Sequence, residues 1–198
     1  MTIRKRLGKI LSEELRFQAQ GFKIRERIIQ LRGGGTITRW INDKRGKRWV
    51  VAVPLTSNLE IVLTDEPKWG HMKRYTLLVA GRMQKGETPI DAAKRELKEE
   101  TGYVSDNWQV MGKTVDESPD KTAGGECYLV LASCCARPVA NPEIMNRAVL
   151  VKWNDTGLLI KDEHPEVEFN VPISIACLAR AREYLADSPV LLNKSQPP

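Results

Sequence analysis

Glu96, Glu99 and Glu100 fall within five positions in the stretch RELKEETG, residues 95–102. On a helix their spacings of three and four put all three on one face, where each like-charged pair costs a few tenths of a kcal/mol. Two arrangements tolerate that. The face is open to water, as many charge runs are, or a cation sits against it. Mg²⁺ takes oxygen ligands octahedrally and keeps some waters, so two or three helical carboxylates together with substrate phosphates make a suitable cradle for it. A divalent ion so held neutralises a phosphoanhydride and activates a water to attack it.

The element that carries these acids has marked ends. Thr88 is placed to cap a helix, with Pro89 in the first turn and Asp91 three residues after the cap, and Gly102 stands where a left-handed C-terminal cap belongs. Ile90, Ala93 and Leu97 form its core-facing stripe, which turns the acidic cluster away from the main core. An apolar run, YTLLVAG at 75–81, precedes the helix. Strands are expected at NWQVMGKTVD, CYLVLASCCA and VLVKWND, with loops ESPDKTAGGE and RPVANPEIMNRA between them, and a closing helix at 171–186. Strands on both sides of single helices imply a mixed sheet covered by helices.

Upstream, Ile3, Leu7, Ile10, Leu11 and Leu15 recur at helical spacing, so residues 3–20 read as an amphipathic helix. Residues 22–32 fit either a strand or a second helical piece, and Gly33–Gly35 break the chain. TITRWI and KRWVVAVPL, flanking NDKRGK, read as a hairpin, followed by a strand at LEIVLTD.

The chain has 198 residues, 41% apolar and 28% charged, an ordinary composition for one domain with an appendage. No run is long enough for a membrane span, and the N-terminus lacks the apolar centre of a secretory signal, so a cytoplasmic protein is expected. Cys127, Cys134, Cys135 and Cys177 show no CxxC spacing and read as reduced, buried thiols. Residues 1–50 hold 14 Lys and Arg against 4 Asp and Glu, a local charge of +10 within a net +6. That basic excess suits an anionic substrate, a nucleic acid or an acidic neighbouring subunit.

Extended outward, the acidic stretch reads GRMQKGETPIDAAKRELKEETGY, with Gly81, Glu87, Arg95, Glu96, Leu97, Glu99, Glu100, Gly102 and Tyr103. This resembles the Nudix box: glycine, five residues, glutamate, seven residues, then Arg-Glu-apolar-any-Glu-Glu-any-Gly-apolar. Seven fixed positions coincide by chance on the order of once in 10⁸ windows, so the resemblance is specific. It implies an α/β (α+β) fold, a Nudix α/β/α sandwich with a mixed β-sheet over residues 36–190. To this is added an N-terminal helical or strand extension, 1–35, that serves in dimerisation, and a tail at 191–198.

The resemblance also implies site roles. Glu96, Glu99 and Glu100 are expected to ligate Mg²⁺, or Mn²⁺ in its place, with the main-chain carbonyl of Ala80 as a further ligand. Glu87 is expected to reach metal through water or to pair with Arg95, which holds the carboxylates in place. Pro119, sixteen residues after Tyr103, is similar to the pattern of ADP-ribose and nucleoside-diphosphate-sugar pyrophosphatases, and Glu126 matches an acidic position at that family's substrate site. The chain departs from that subfamily at Leu77, Leu78 and Val79, and its substrate arginine has no direct counterpart; Arg74, Lys68 or Lys73 stand in for it. Glu143 is the position for a loop base, and Trp69 for stacking on a purine. His71 and His164 read as structural.

The implied activity is cleavage of a nucleotide-sugar diphosphate by a homodimer. Dinucleoside polyphosphates, NADH and 5′-triphosphorylated RNA are the alternative substrates, with nucleic acid not favoured. A non-catalytic nucleotide-binding module is the competing class.

Overall fold

The computed structural model describes residues 8–19, 22–42, 48–68, 72–116, 125–137 and 146–187. The chain divides into two compact units, residues 1–47 with 115–126, and residues 48–114 with 127–198.

The first unit contains three antiparallel strands in the order β1 (Gly8–Ala19), β2 (Phe22–Leu31) and β3 (Thr36–Asn42). The expected helix over 3–20 is therefore corrected to a strand over its described part. The β1–β2 register slips between Ile10 and Ser12 and again between Leu15 and Phe17. Each such bulge offsets the two-residue alternation of a strand, and what remains in the sequence mimics helical spacing. Cross-strand pairing decides the outcome: Glu13 stands opposite Arg27 and meets both Arg25 and Arg27, while Arg16 binds Glu26 at 2.7 Å. Between β2 and β3 the chain reverses at the three glycines, with Gly34 and Gly35 at φ +89° and +75°, a region glycine enters without steric cost.

The expected β3–β4 hairpin is also corrected. β3 pairs with β2, whereas β4 (Arg48–Thr56) belongs to the other sheet.

The larger sheet runs β10 (Arg147–Lys152), β5 (Glu60–Lys68), β4, β9 (Gly125–Cys135) and β8 (Asn107–Asp116). β6 (Lys73–Leu78) pairs with β5, and β7 (Ala80–Arg82) with β4. Helix α1 (Pro89–Thr101) packs on β4 and β7, and α3 (Pro172–Ala186) on β4 and β6, with the short α2 (Thr156–Ile160) beside α3. The result is the expected α/β class with a mixed sheet covered by helices.

Strand alternation divides the core. Val50 and Ala52 of β4 and Val130 and Ala132 of β9 join Ala92, Ala93 and Leu97 of α1 in one cluster. Val51, Val53 and Leu55, with Leu129 and Leu131, join Leu178, Ala181 and Leu185 of α3 in the other. Both faces of the central strands are thus dry, and burying a leucine such as Leu97 contributes about 2 kcal/mol.

None of the four cysteines forms a disulfide; Cys127, Cys135 and Cys177 are buried and Cys134 is partly so. His164 has the structural role expected of it, its Nδ1 accepting from the backbone N–H groups of Glu166 and Val167. No helix among the described residues is long and apolar enough to cross a membrane.

Candidate active site

Helix α1 begins and ends as its sequence directs. Thr88 accepts from the backbone N–H of Asp91 at 3.2 Å, the Asp91 carboxylate accepts in return from the Thr88 backbone, and Gly102 closes the helix at φ +74°. With the buried stripe Ala92, Ala93 and Leu97 fixing its rotation, the acidic residues take different environments.

Arg95 organises the first of them. Its Nε donates to Glu87 Oε1 at 2.8 Å and its Nη2 to Glu87 Oε2 at 3.2 Å, a two-pronged pair. Its Nη1 reaches Glu96 Oε1 at 2.7 Å and Glu99 Oε2 at 3.1 Å, and Nη2 also donates to the carbonyl of Arg82. One guanidinium thus ties three carboxylates to the strand end, a task the single ammonium of lysine cannot perform. Glu87 is pulled below the usual carboxylate range by its Arg95 hydrogen bond and the Gln84 backbone N–H.

Glu96 folds over β7. A Cβ at Gly81 would lie 1.8 Å from Glu96 Cδ, so only glycine there lets the carboxylate rest on the backbone. Burial raises the Glu96 carboxyl above its ordinary value, against the opposing pull of Arg95.

Glu100 lies deeper. Burial, and after it the charges of Glu66 and Glu96, push its carboxyl up to about 8, against a backbone hydrogen bond at Ala80. Its Oε2 is buried without a hydrogen-bond partner. A buried carboxylate oxygen left in that state is costly, and a bound cation is one means of satisfying it. The acids differ in exposure: the Glu99 side chain is 58% exposed and that of Glu96 only 12%.

Among the described residues no three His, Cys, Asp or Glu side chains are already gathered as a metal cage. Arg95 accounts for that, since it holds Glu99 and one oxygen of Glu96 to itself. The donor set nevertheless fits a hard divalent ion: carboxylate oxygens only, one of them buried and unsatisfied, beside a cradle that a Cβ would fill.

The remaining expected residues fall elsewhere. Arg74 is on β6 and donates from Nε to Asp65 Oδ2 at 2.8 Å, so it is engaged by the neighbouring strand. Glu126 is near the start of β9 and belongs to the first compact unit. Trp69, Pro119, Glu143 and His71 lie outside the described residues. Two features went unseen in the sequence: the charge of Glu66, which bears on Glu100, and the buried Thr64, whose Oγ1 also has no partner. The alternation of EIVLTDEPK, with Ile61 and Leu63 in the α3-side core, was the available clue that Thr64 and Glu66 occupy the opposite face.

Comparison with known proteins agrees with this geometry. Residues 46–170 match the family described as NUDIX domain. An ADP-ribose pyrophosphatase of Mycobacterium tuberculosis (strain ATCC 25618 / H37Rv) is 31% identical over 123 residues, 62% of this chain and 57% of that protein. A methanol dehydrogenase activator of Bacillus methanolicus is 33% identical over 102 residues, 49% and 54% of the two chains. An 8-oxo-dGTP diphosphatase of Escherichia coli (strain K12) is 32% identical over 71 residues, 36% and 55%. The aligned parts span little more than half the length of each of these relatives. A solved structure titled as an ADP compounds hydrolase superposes with a TM-score of 0.79 at 20% identity, over 94% of this chain and 98% of the other, a likeness of fold.

Proposed function

We propose, from the premise that this chain belongs to the NUDIX family, that it is a Mg²⁺-dependent pyrophosphatase. It hydrolyses the diphosphate of ADP-ribose or another nucleoside diphosphate sugar to a nucleoside monophosphate and a sugar phosphate. The observation that carries this reading is the buried Glu100, its Oε2 unpartnered, beside a Glu96 laid over Gly81. Nothing in a merely solvated acidic face requires either feature. The 31% identity over 123 residues to an ADP-ribose pyrophosphatase supports the substrate class.

In this mechanism Glu96 and Glu100 hold Mg²⁺, or Mn²⁺ in its place, with Ala80 offering its carbonyl. When bound, the ion neutralises the diphosphate and lowers the pKa of a water. The protein's part is positioning. Arg95 fixes Glu87, Glu96 and Glu99 against the end of β7, so the carboxylates do not have to be gathered during reaction. Glu99, exposed and held by Arg95, supports the set from outside. Glu143 is assigned the role of base, and Trp69 and Arg74 that of substrate recognition.

Incubation with Mg²⁺ and a panel of ADP-ribose, other nucleotide sugars, dinucleoside polyphosphates, NADH and 5′-triphosphorylated RNA tests the proposal. AMP and ribose 5-phosphate from ADP-ribose are expected. Folded protein that cleaves nothing in the panel contradicts the enzyme reading, and preferred cleavage of another class contradicts the substrate assignment.

The same reading makes the protein a homodimer through its N-terminal strands. Ile10, Leu11, Leu15, Phe17, Ile28, Leu31 and Trp40 are exposed on that small sheet, more apolar surface than a solvated sheet needs. On this sheet Arg16, Arg25 and Arg27 pair with Glu13, Glu14 and Glu26. A dimeric mass in solution is expected; a monomer at micromolar concentration removes the assignment.

A further inference from the structure

Helix α3 buries Ser174, Cys177, Leu178, Ala181 and Leu185 as one stripe. Neither the helix nor the core calls for the hydroxyl of Ser174, which is only 2% exposed. Alanine fits the same space, forms helix better and brings no polar group to satisfy. Ser174 does not cap the helix either, since Val171 holds the N-cap position. Its Oγ instead accepts from the backbone N–H of Leu78, 96 residues away, in a buried bond of 3.2 Å.

At Leu78 the chain changes partners. β6 ends there, with Leu78 opposite Leu63 of β5, and β7 begins two residues on, with Ala80 opposite Val51 of β4. At the step between them the Val79 carbonyl accepts from the Ala52 N–H at 2.8 Å. Leu78 and Val79 are fully buried, so their backbone groups must find partners within the protein. The acidic site begins immediately after: Glu96 rests over Gly81, and the Arg82 carbonyl accepts from Arg95 Nη2 at 2.9 Å.

We propose that Ser174 is a positioning residue for the acidic site: its hydroxyl fixes the chain where it passes from β5 to β4, and so sets where β7 presents its backbone to Glu96 and Arg95. This rests on the reading of the acidic cluster as the active site. The influence comes from the α3 side of the sheet, opposite to the α1 side on which the acids lie. Glu96 touches the strand at a glycine, with no side chain between them to absorb a shift, so a displacement of β7 passes directly to its carboxylate. Arg95 follows the Arg82 carbonyl and takes Glu87 and Glu99 with it. Without the Ser174 hydroxyl the Leu78 N–H is left buried and unpaired, or the chain moves until it finds another acceptor. A misplacement of about 1 Å, caused far from the chemistry, costs up to about 100-fold in rate.

The test compares Ser174→Ala with Ala181→Gly, a lesion in the same buried stripe of α3 that leaves the Leu78 bond in place. Steady-state hydrolysis of ADP-ribose, backbone amide exchange read by mass spectrometry, and Tm are measured on the full chain. Ser174→Ala is expected to lower kcat about 10- to 100-fold with KM changed less than about threefold. Amides of residues 78–82 should exchange about tenfold faster in it. Ala181→Gly is expected to lower Tm at least as much, while keeping wild-type kcat and wild-type exchange at 78–82. Wild-type kcat in Ser174→Ala overturns the inference, whatever the exchange shows. So does an equal loss of kcat in Ala181→Gly, which makes the effect one of general stability. Wild type that cleaves no nucleotide removes the enzyme reading by itself, and exchange at 78–82 unchanged in Ser174→Ala then still overturns the positioning role.

Discussion

The two ends of the acidic cluster differ in how their charge is met. At the Glu87–Arg95 end one guanidinium satisfies Glu87, Glu96 and Glu99 and ties them to the Arg82 carbonyl. At the Glu100 end one carboxyl oxygen is buried and unpartnered, and burial pushes the carboxyl up to about 8. Ion pairing explains the first end; the second holds a buried acid that burial makes costly to ionise, and the proposed cation site rests on that feature.

The contrast is broken most severely at Glu100. Replacing it with Gln removes the charge at nearly constant shape, and steady-state assays are expected to show turnover lower by about 10³-fold, the loss of several kcal/mol of transition-state stabilisation. The same variant should be at least as stable as wild type without metal. Removing the organiser instead, as Arg95→Ala, is expected to cost about 10- to 100-fold in turnover and to lower Tm, because three carboxylates lose their shared partner. Glu99→Gln, at the exposed edge, should change turnover by about tenfold or less.

Acidity gives a reading of the same contrast without substrate. The Glu100 carboxyl titrates near 8 when folded, against an ordinary value of 4.5, so the folded chain holds a proton that the unfolded chain has lost between those values. Stability of the metal-free protein should therefore fall as pH rises from about 4.5 to about 8 and level off above that. Thermal denaturation should show a shallower decline over that window in Glu100→Gln and in wild type with saturating Mn²⁺.

What the sequence disclosed was local. Thr88, Asp91 and Gly102 mark the ends of α1 through contacts within a few residues, and Glu87, Arg95 and the three glutamates lie on or beside that helix. The strands β8, β9 and β10 and helix α3 also stand where their apolar patterns predict. What it concealed was long-range or irregular. Two bulges in β1 erased the alternation that marks a strand, and the pairing of Glu13 with Arg27 depends on a partner fourteen residues away. The packing of β5 on α1 and the Arg74–Asp65 pair across β5 and β6 are likewise long-range.

The central claim is that these acids are held together for a divalent cation. Isothermal calorimetry of Mg²⁺ binding, with and without ADP-ribose, tests it most directly. Uptake by wild type that is lost in Glu100→Gln and kept in Glu99→Gln is predicted; no uptake by the folded wild-type protein under either condition contradicts the account.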